Sequence, residues 1–141
     1  MRKTTTITID AQGRDLGKQY FLTELPATQA EKWAIRAFLG LAKSGVEIPQ
    51  EIRDMGMAGI GVVGFRMLAG MDWAYLEPLL DEMFTCVQMI PDPNKPLPRR
   101  LVENDIEEIA TRMRLRIEVF KLHVDFSEAG ALLNSASPPA Q

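Results

Sequence analysis

Few residues in this chain have the type and spacing to do chemistry. Gly59, Gly61 and Gly64 form a G-x-G-x-x-G run, with Asp81 further along. In a dinucleotide-binding fold such a run follows a strand and opens a helix, so that pyrophosphate meets helix N–H groups. Here the preceding EIRDMGMA does not read as a buried strand, and no parallel strand follows. Close helix packing explains the glycines better. Glu77, Asp81 and Glu82 have the look of paired carboxylates for acid–base work or a hard cation. Glu77 and Asp81 share a helix face at i, i+4, but nothing basic or cavity-forming accompanies them, and a solvated face is the better account. Cys86 is the single cysteine and His123 the single histidine, so no internal disulfide, Cys-cluster metal site or triad is expected. Cys86 borders an apolar stripe, and His123 falls near a helix C-terminus, where the dipole favours a cation. Arg99, Arg100, Arg112, Arg114 and Arg116 could meet phosphate, but Glu103, Glu107, Glu108 and Glu118 dilute their field. With a net charge of -3, the balance argues against nucleic acid. The expectation is a chain with no catalytic residue, no cofactor and no metal, and therefore not an enzyme.

The elements that must carry these residues are mostly helical by pattern. Thr4 to Asp10 alternates β-branched residues, and Lys18 to Leu25 can pair back on it across a Gly13–Gly17 turn. A small N-terminal β-hairpin over about residues 4–25 follows. Thr28 and Glu31 form a T-x-x-E capping box after Pro26 and predict a helix from about Ala27 to Ser44, stopped by Gly45. Its apolar residues, Trp33, Phe38 and Leu41 among them, cover all but a narrow strip of Lys32, Arg36 and Lys43. Such a helix is either central to the fold or has a second face for another chain. A short helix is expected after Pro49. Residues 55–70 are rich in glycine, and can be helical only if neighbours pack closely.

Asp72 is the expected cap of the next helix, with Leu76, Leu79, Leu80, Met83, Phe84, Val87 and Ile90 on one face and Pro78 in its first turn. Pro91 to Pro98 reads as an extended linker or ordered loop. Asn104 and Glu107 predict the start of a last helix, whose core stripe is Ile106, Ile109, Ala110, Met113, Ile117, Phe120 and Val124. Leu115, Val119 and Leu122 form a second stripe opposite. The reading is a mainly α, helical single domain over residues 1–126 with that hairpin, followed by a flexible tail over 127–141.

Bulk composition fits this: 141 residues, 46% hydrophobic and 25% charged, suit one globular domain with a real core. MRKTTTITID has no apolar h-region, so no secretory signal is expected, and no stretch is long and apolar enough for a membrane span. Six of the eight methionines lie between Met55 and Met89. Methionine fills core gaps, and it also serves surfaces that adapt to a partner.

The string ITIDAQGRDLGKQYFLTELPATQAEKWAIRAFLGLAKSGVEIP, followed by EPLLDEMFTCVQMIPDP and ENDIEEIATRMRLRIEVFKLHVDF, resembles the tail assembly chaperones of long-tailed bacteriophages and prophages. The likeness runs from about Thr5 to Phe126. It implies a small, largely helical, non-enzymatic protein that coats the tape measure protein and keeps it soluble during tail tube assembly, with the tail tube protein as a further partner. It also implies residence in the host bacterial cytoplasm and absence from the mature virion. Serial coating of a long rod favours a homo-oligomer, and no membrane or nucleic-acid partner is expected. Helix-in-groove binding needs adaptable apolar lining, for which Trp33, Phe38, Met67, Met71, Leu115, Val119 and Leu122 are the candidates. The competing readings are a structural virion or head–tail connector protein and a small nucleic-acid-binding regulator.

Overall fold

A computed structural model describes residues 1–46, 50–54 and 65–124. The elements run β1 (Thr4–Thr8), β2 (Gln19–Thr23), α1 (Ala27–Lys43), α2 (Gln50–Asp54), a 3-10 helix (Phe65–Gly70), α3 (Trp73–Phe84), β3 (Val87–Ile90), β4 (Arg99–Arg100), a 3-10 turn (Glu103–Asp105) and α4 (Ile109–His123). The four strands form one antiparallel sheet in the order β1-β2-β3-β4. This corrects the mainly α expectation: the chain is mixed α/β. The expected hairpin is present, with Thr4 opposite Thr23 and Thr8 opposite Gln19, but it is half of a larger sheet.

The error arose at Val87 and Ile90, which fit the helical stripe of α3 by spacing. Four residues with three apolar ones, VQMI, fit either period. What decides is the partner. The Thr85 and Cys86 amides bond back to Glu82 and Met83, tightening the last turn, and the Cys86 carbonyl accepts the Thr23 amide at 3.0 Å. The chain then continues along β2, with Leu22 opposite Val87 and Tyr20 opposite Met89. β2 is thus central, and its Tyr20 and Leu22 are completely buried. No helix among the described residues is long and apolar enough to cross a membrane.

The chain divides into two compact units: Met1–Leu25 with Leu80–Leu122, and one centred on Pro26–Leu79. In the sheet-bearing unit, Asp15 lies in the β1–β2 turn and is buried. Its carboxylate accepts the Glu107 amide at 3.0 and 3.1 Å and the Glu108 amide at 2.9 Å, immediately ahead of α4. Free N–H groups at a helix start need such an acceptor. Asn104 and Glu107 were the expected start signal. Instead Asn104 sits in the 3-10 turn, and a residue 92 positions before Glu107 caps the helix. Asp15 also takes a hydrogen bond from Lys18 Nζ at 2.9 Å, and Lys18 bridges to Glu107 at 3.1 Å.

In the other unit, α1 runs over nearly the expected residues, but its N-cap is Pro26 and no side chain caps it, so the T-x-x-E box does not form. Its end is built as the glycine stop implies. Gly45 has φ +88°, its amide bonds the Ala42 carbonyl at 3.1 Å, and the Val46 amide bonds Leu41 at 2.9 Å. This is the Schellman pattern, which needs a left-handed residue after the cap. α3 begins at Trp73, so Pro78 lies inside the helix rather than in its first turn.

Burial by itself would raise the Asp15 pKa, but hydrogen bonds from Lys18, Thr111 and the Glu107 and Glu108 amides outweigh it and bring the value down to about 2. A folded-state pKa below the unfolded one contributes stability above about pH 4 that is lost as pH falls toward about 2. Asp15→Asn should therefore lower the unfolding free energy by about 2 kcal/mol at neutral pH. The gap from the wild type should close as pH falls through that window. Urea unfolding at stepped pH measures both.

Candidate partner-binding surface

The apolar residues named from sequence as lining are mostly interior. Trp33, Phe38, Met71, Leu115 and Val119 are buried, and Leu122 is half-buried. Met67 falls in the 3-10 helix, but its side chain lies outside the described residues, as does the whole of the Gly59–Gly64 run. In the α1 unit, Trp33 donates Nε1–H to the Leu79 carbonyl at 3.0 Å, which anchors α1 to α3. Gly40 makes the close approach possible: a Cβ there would stand 2.8 Å from Met71 Sδ and 3.1 Å from Tyr75 Cβ. The Asp72 amide, just ahead of α3, bonds Ser44 Oγ at 2.8 Å.

These contacts leave a groove between α1 and the first turns of α3. It encloses about 270 Å³ and is lined by Leu39, Gly40, Ala74, Tyr75 and Pro78, with Arg36 and Lys43 among its walls. Leu39 is 55% exposed and Ile35, one turn earlier, 49%. Lys43 Nζ lies 5.6 Å from the centroid of the Tyr75 ring, a favourable cation–π arrangement. Pro78 has no N–H to give the Ala74 carbonyl, so one α-helical bond is missing on the groove wall. The site is apolar, with a cationic rim and one polar backbone feature. Leu39 was not among the lining residues named from sequence, although the helical spacing, which sets it beside Lys32 and Arg36 and opposite Leu41, is a signal that could have found it.

In the sheet-bearing unit, α4 is turned the other way from the sequence expectation. Leu115, Val119 and Thr111 are buried, while Ile109, Met113 and Ile117 are exposed at i, i+4, i+8. Both stripes of this helix are apolar, so hydrophobicity does not choose between them. The bond from Thr111 to Asp15 fixes the rotation and carries Leu115 and Val119 inward on the same face. Ile106, Phe120 and Val124, from the expected stripe, are nonetheless buried.

Several of the residues singled out for their chemistry make structural contacts. Arg99 forks onto Asp105 at 2.7 and 2.8 Å, and this pairing, ahead of the cost of burial, lowers the Asp105 pKa. Asp105 also accepts the Val102 amide at 2.8 Å, and its carbonyl takes the Tyr20 hydroxyl at 2.7 Å. Arg112 and Arg116 stack over the Phe84 ring at 4.2 and 4.8 Å. Arg114 pairs with Asp10 at 2.9 Å. Glu77 and Asp81 are exposed and Glu82 is half-buried. Cys86 is buried, and burial pushes its thiol up to about 11, so little reactive thiolate forms near neutral pH. No His/Cys/Asp/Glu group suited to a metal ion occurs among the described residues.

No family model, curated protein or solved structure matches this chain.

Gly40→Val would place two further methyl groups against Met71 and Tyr75. The expected loss is about 2 kcal/mol of stability, within the usual range for overpacking, together with a deformed groove. Thermal unfolding followed by tryptophan fluorescence, with Trp33 at the same packing site, reads the change.

Proposed function

We propose that this chain is a phage tail assembly chaperone that binds helical segments of the tape measure protein and keeps them soluble while the tail tube assembles. Its partner is the tape measure protein, and the tail tube protein is a second one. It acts in the host bacterial cytoplasm and is left out of the mature virion. The reading rests on the resemblance of its sequence segments to that family. The single structural observation that supports it is the groove between α1 and α3. An amphipathic helix offers apolar side chains at i, i+3, i+4 spacing, and a shallow apolar groove with Leu39, Tyr75 and Pro78 along it takes such anchors. Arg36 and Lys43 beside the groove favour a helix with acidic residues flanking its apolar stripe. The exposed Ile109, Met113 and Ile117 of α4 supply a second apolar strip of the same spacing.

The direct test is co-expression with the tape measure protein of the same genome, followed by size-exclusion chromatography with light scattering. A soluble complex carrying many copies of this chain is expected. An aggregated tape measure protein, with this chain eluting alone, would sink the proposal. Leu39→Asp puts a charge in the groove at a half-exposed position. It should weaken the complex at least about tenfold, as removal of a central apolar anchor does, while changing the unfolding free energy by no more than about 0.5 kcal/mol, as surface substitutions do.

A further inference from the structure

Among the described residues, one edge of the sheet is unpaired. β1 has one neighbour among the described residues, β2. The Ile9 amide bonds the Lys18 carbonyl at 2.9 Å, and the Glu24 amide bonds the Lys3 carbonyl at 3.0 Å. With the register given by Thr4 opposite Thr23, the odd-numbered residues of β1 exchange bonds with β2. The N–H and C=O groups of Thr4, Thr6 and Thr8 therefore point away from the sheet. Arg114 Nη1 reaches the Thr8 carbonyl at 3.5 Å, so it touches one end of this edge only. The strand is five residues long, β-branched throughout, and contains neither proline nor charge. Natural sheets blunt exposed edges with such residues. This edge has none.

We propose that β1 pairs antiparallel with β1 of a second copy of this chain, centred on Thr6, to give a twofold dimer with one continuous eight-stranded sheet. The flanking charges specify that occupant and that register. Arg2, Thr4, Thr6, Thr8 and Asp10 alternate onto one face of the strand, and the three threonines are exposed. Pairing about Thr6 sets Thr6 against Thr6, Thr4 against Thr8, and Arg2 against Asp10 of the second copy, at both ends by symmetry. Directly opposed Thr–Thr and Arg–Asp pairs are favourable cross-strand neighbours. A shift by two residues breaks both Arg2–Asp10 pairs, setting either Arg2 against Thr8 or Asp10 against Thr4, and a shift by one turns toward the partner the backbone groups that β2 already uses. Asp10 is well exposed and pairs with Arg114 through Oδ1, which leaves its other oxygen for the incoming Arg2. Growth stops at two copies: the other sheet edge, β4, is only the two exposed residues Arg99 and Arg100, too short to template a further strand.

The test is sedimentation of the full chain alone, with no tape measure protein present, so its outcome is independent of the function proposed above. The wild type should be a concentration-dependent dimer. Thr6→Pro removes an outward N–H that β2 does not use, at an edge position where proline is tolerated. It should raise the dimer dissociation constant at least about tenfold with unchanged circular dichroism, because both central hydrogen bonds are lost. Arg2→Asp should weaken the dimer, and adding Asp10→Arg together with Arg114→Glu, which keeps an opposite charge beside position 10, should restore it. A wild type that stays monomeric at the highest attainable concentration would overturn the proposal. So would a Thr6→Pro dimer as tight as the wild type, or a charge swap that restores nothing.

Discussion

A carboxylate taken out of water is tolerated only where donors surround it, and Asp15 is the clearest case in this protein. Lys18, Thr111 and the backbone amides of Glu107 and Glu108 all give it hydrogen bonds. The β1–β2 turn, the start of α4 and the rotation of α4 about its own axis follow from that one group. Around it, Tyr20 in the central strand reaches the Asp105 carbonyl, and Arg99 of the edge strand holds the Asp105 carboxylate. Residues far apart in sequence thus meet in a polar layer next to an apolar core. The ionised state of Asp15 is part of that geometry, because a protonated carboxyl would give up much of what the ammonium and amide groups offer.

The other unit depends on closeness rather than charge. Gly40 lets α1 approach Met71 and Tyr75, and Trp33 fixes the helices to each other through the Leu79 carbonyl. Side chains large enough to anchor the packing are consumed by it, and the groove is lined by what remains at its margin: Leu39, Ala74, Tyr75 and Pro78. An exposed groove and a core here draw on the same apolar helix. Their division is set by which residues the close approach encloses. In the sheet-bearing unit the Cys86 thiol is buried, and Arg112 and Arg116 stack over Phe84. Among the described residues, apolar side chains such as Leu39 and Ile35 on α1 and Ile109, Met113 and Ile117 on α4 are left outward.

How much of this was legible in sequence depended on whether a signal was local. The hairpin, the extent of α1 and its glycine stop were readable because alternation, helical period and a left-handed glycine are properties of neighbouring residues. β3 was not, since Val87 to Ile90 fits a helix as well as a strand until β2 is beside it. The inward face of α4 was not either: both its stripes are apolar, and Asp15 chooses. The capping box at Thr28 and Glu31 was a sound local signal that the structure does not use. By itself, then, the sequence determined the elements whose causes lie within a turn or a strand's length. Tertiary structure alone decided the four-stranded sheet, the distant cap on α4 and which apolar residues face outward. Each of these turns on a hydrogen bond or a close contact between segments that no sequence window contains.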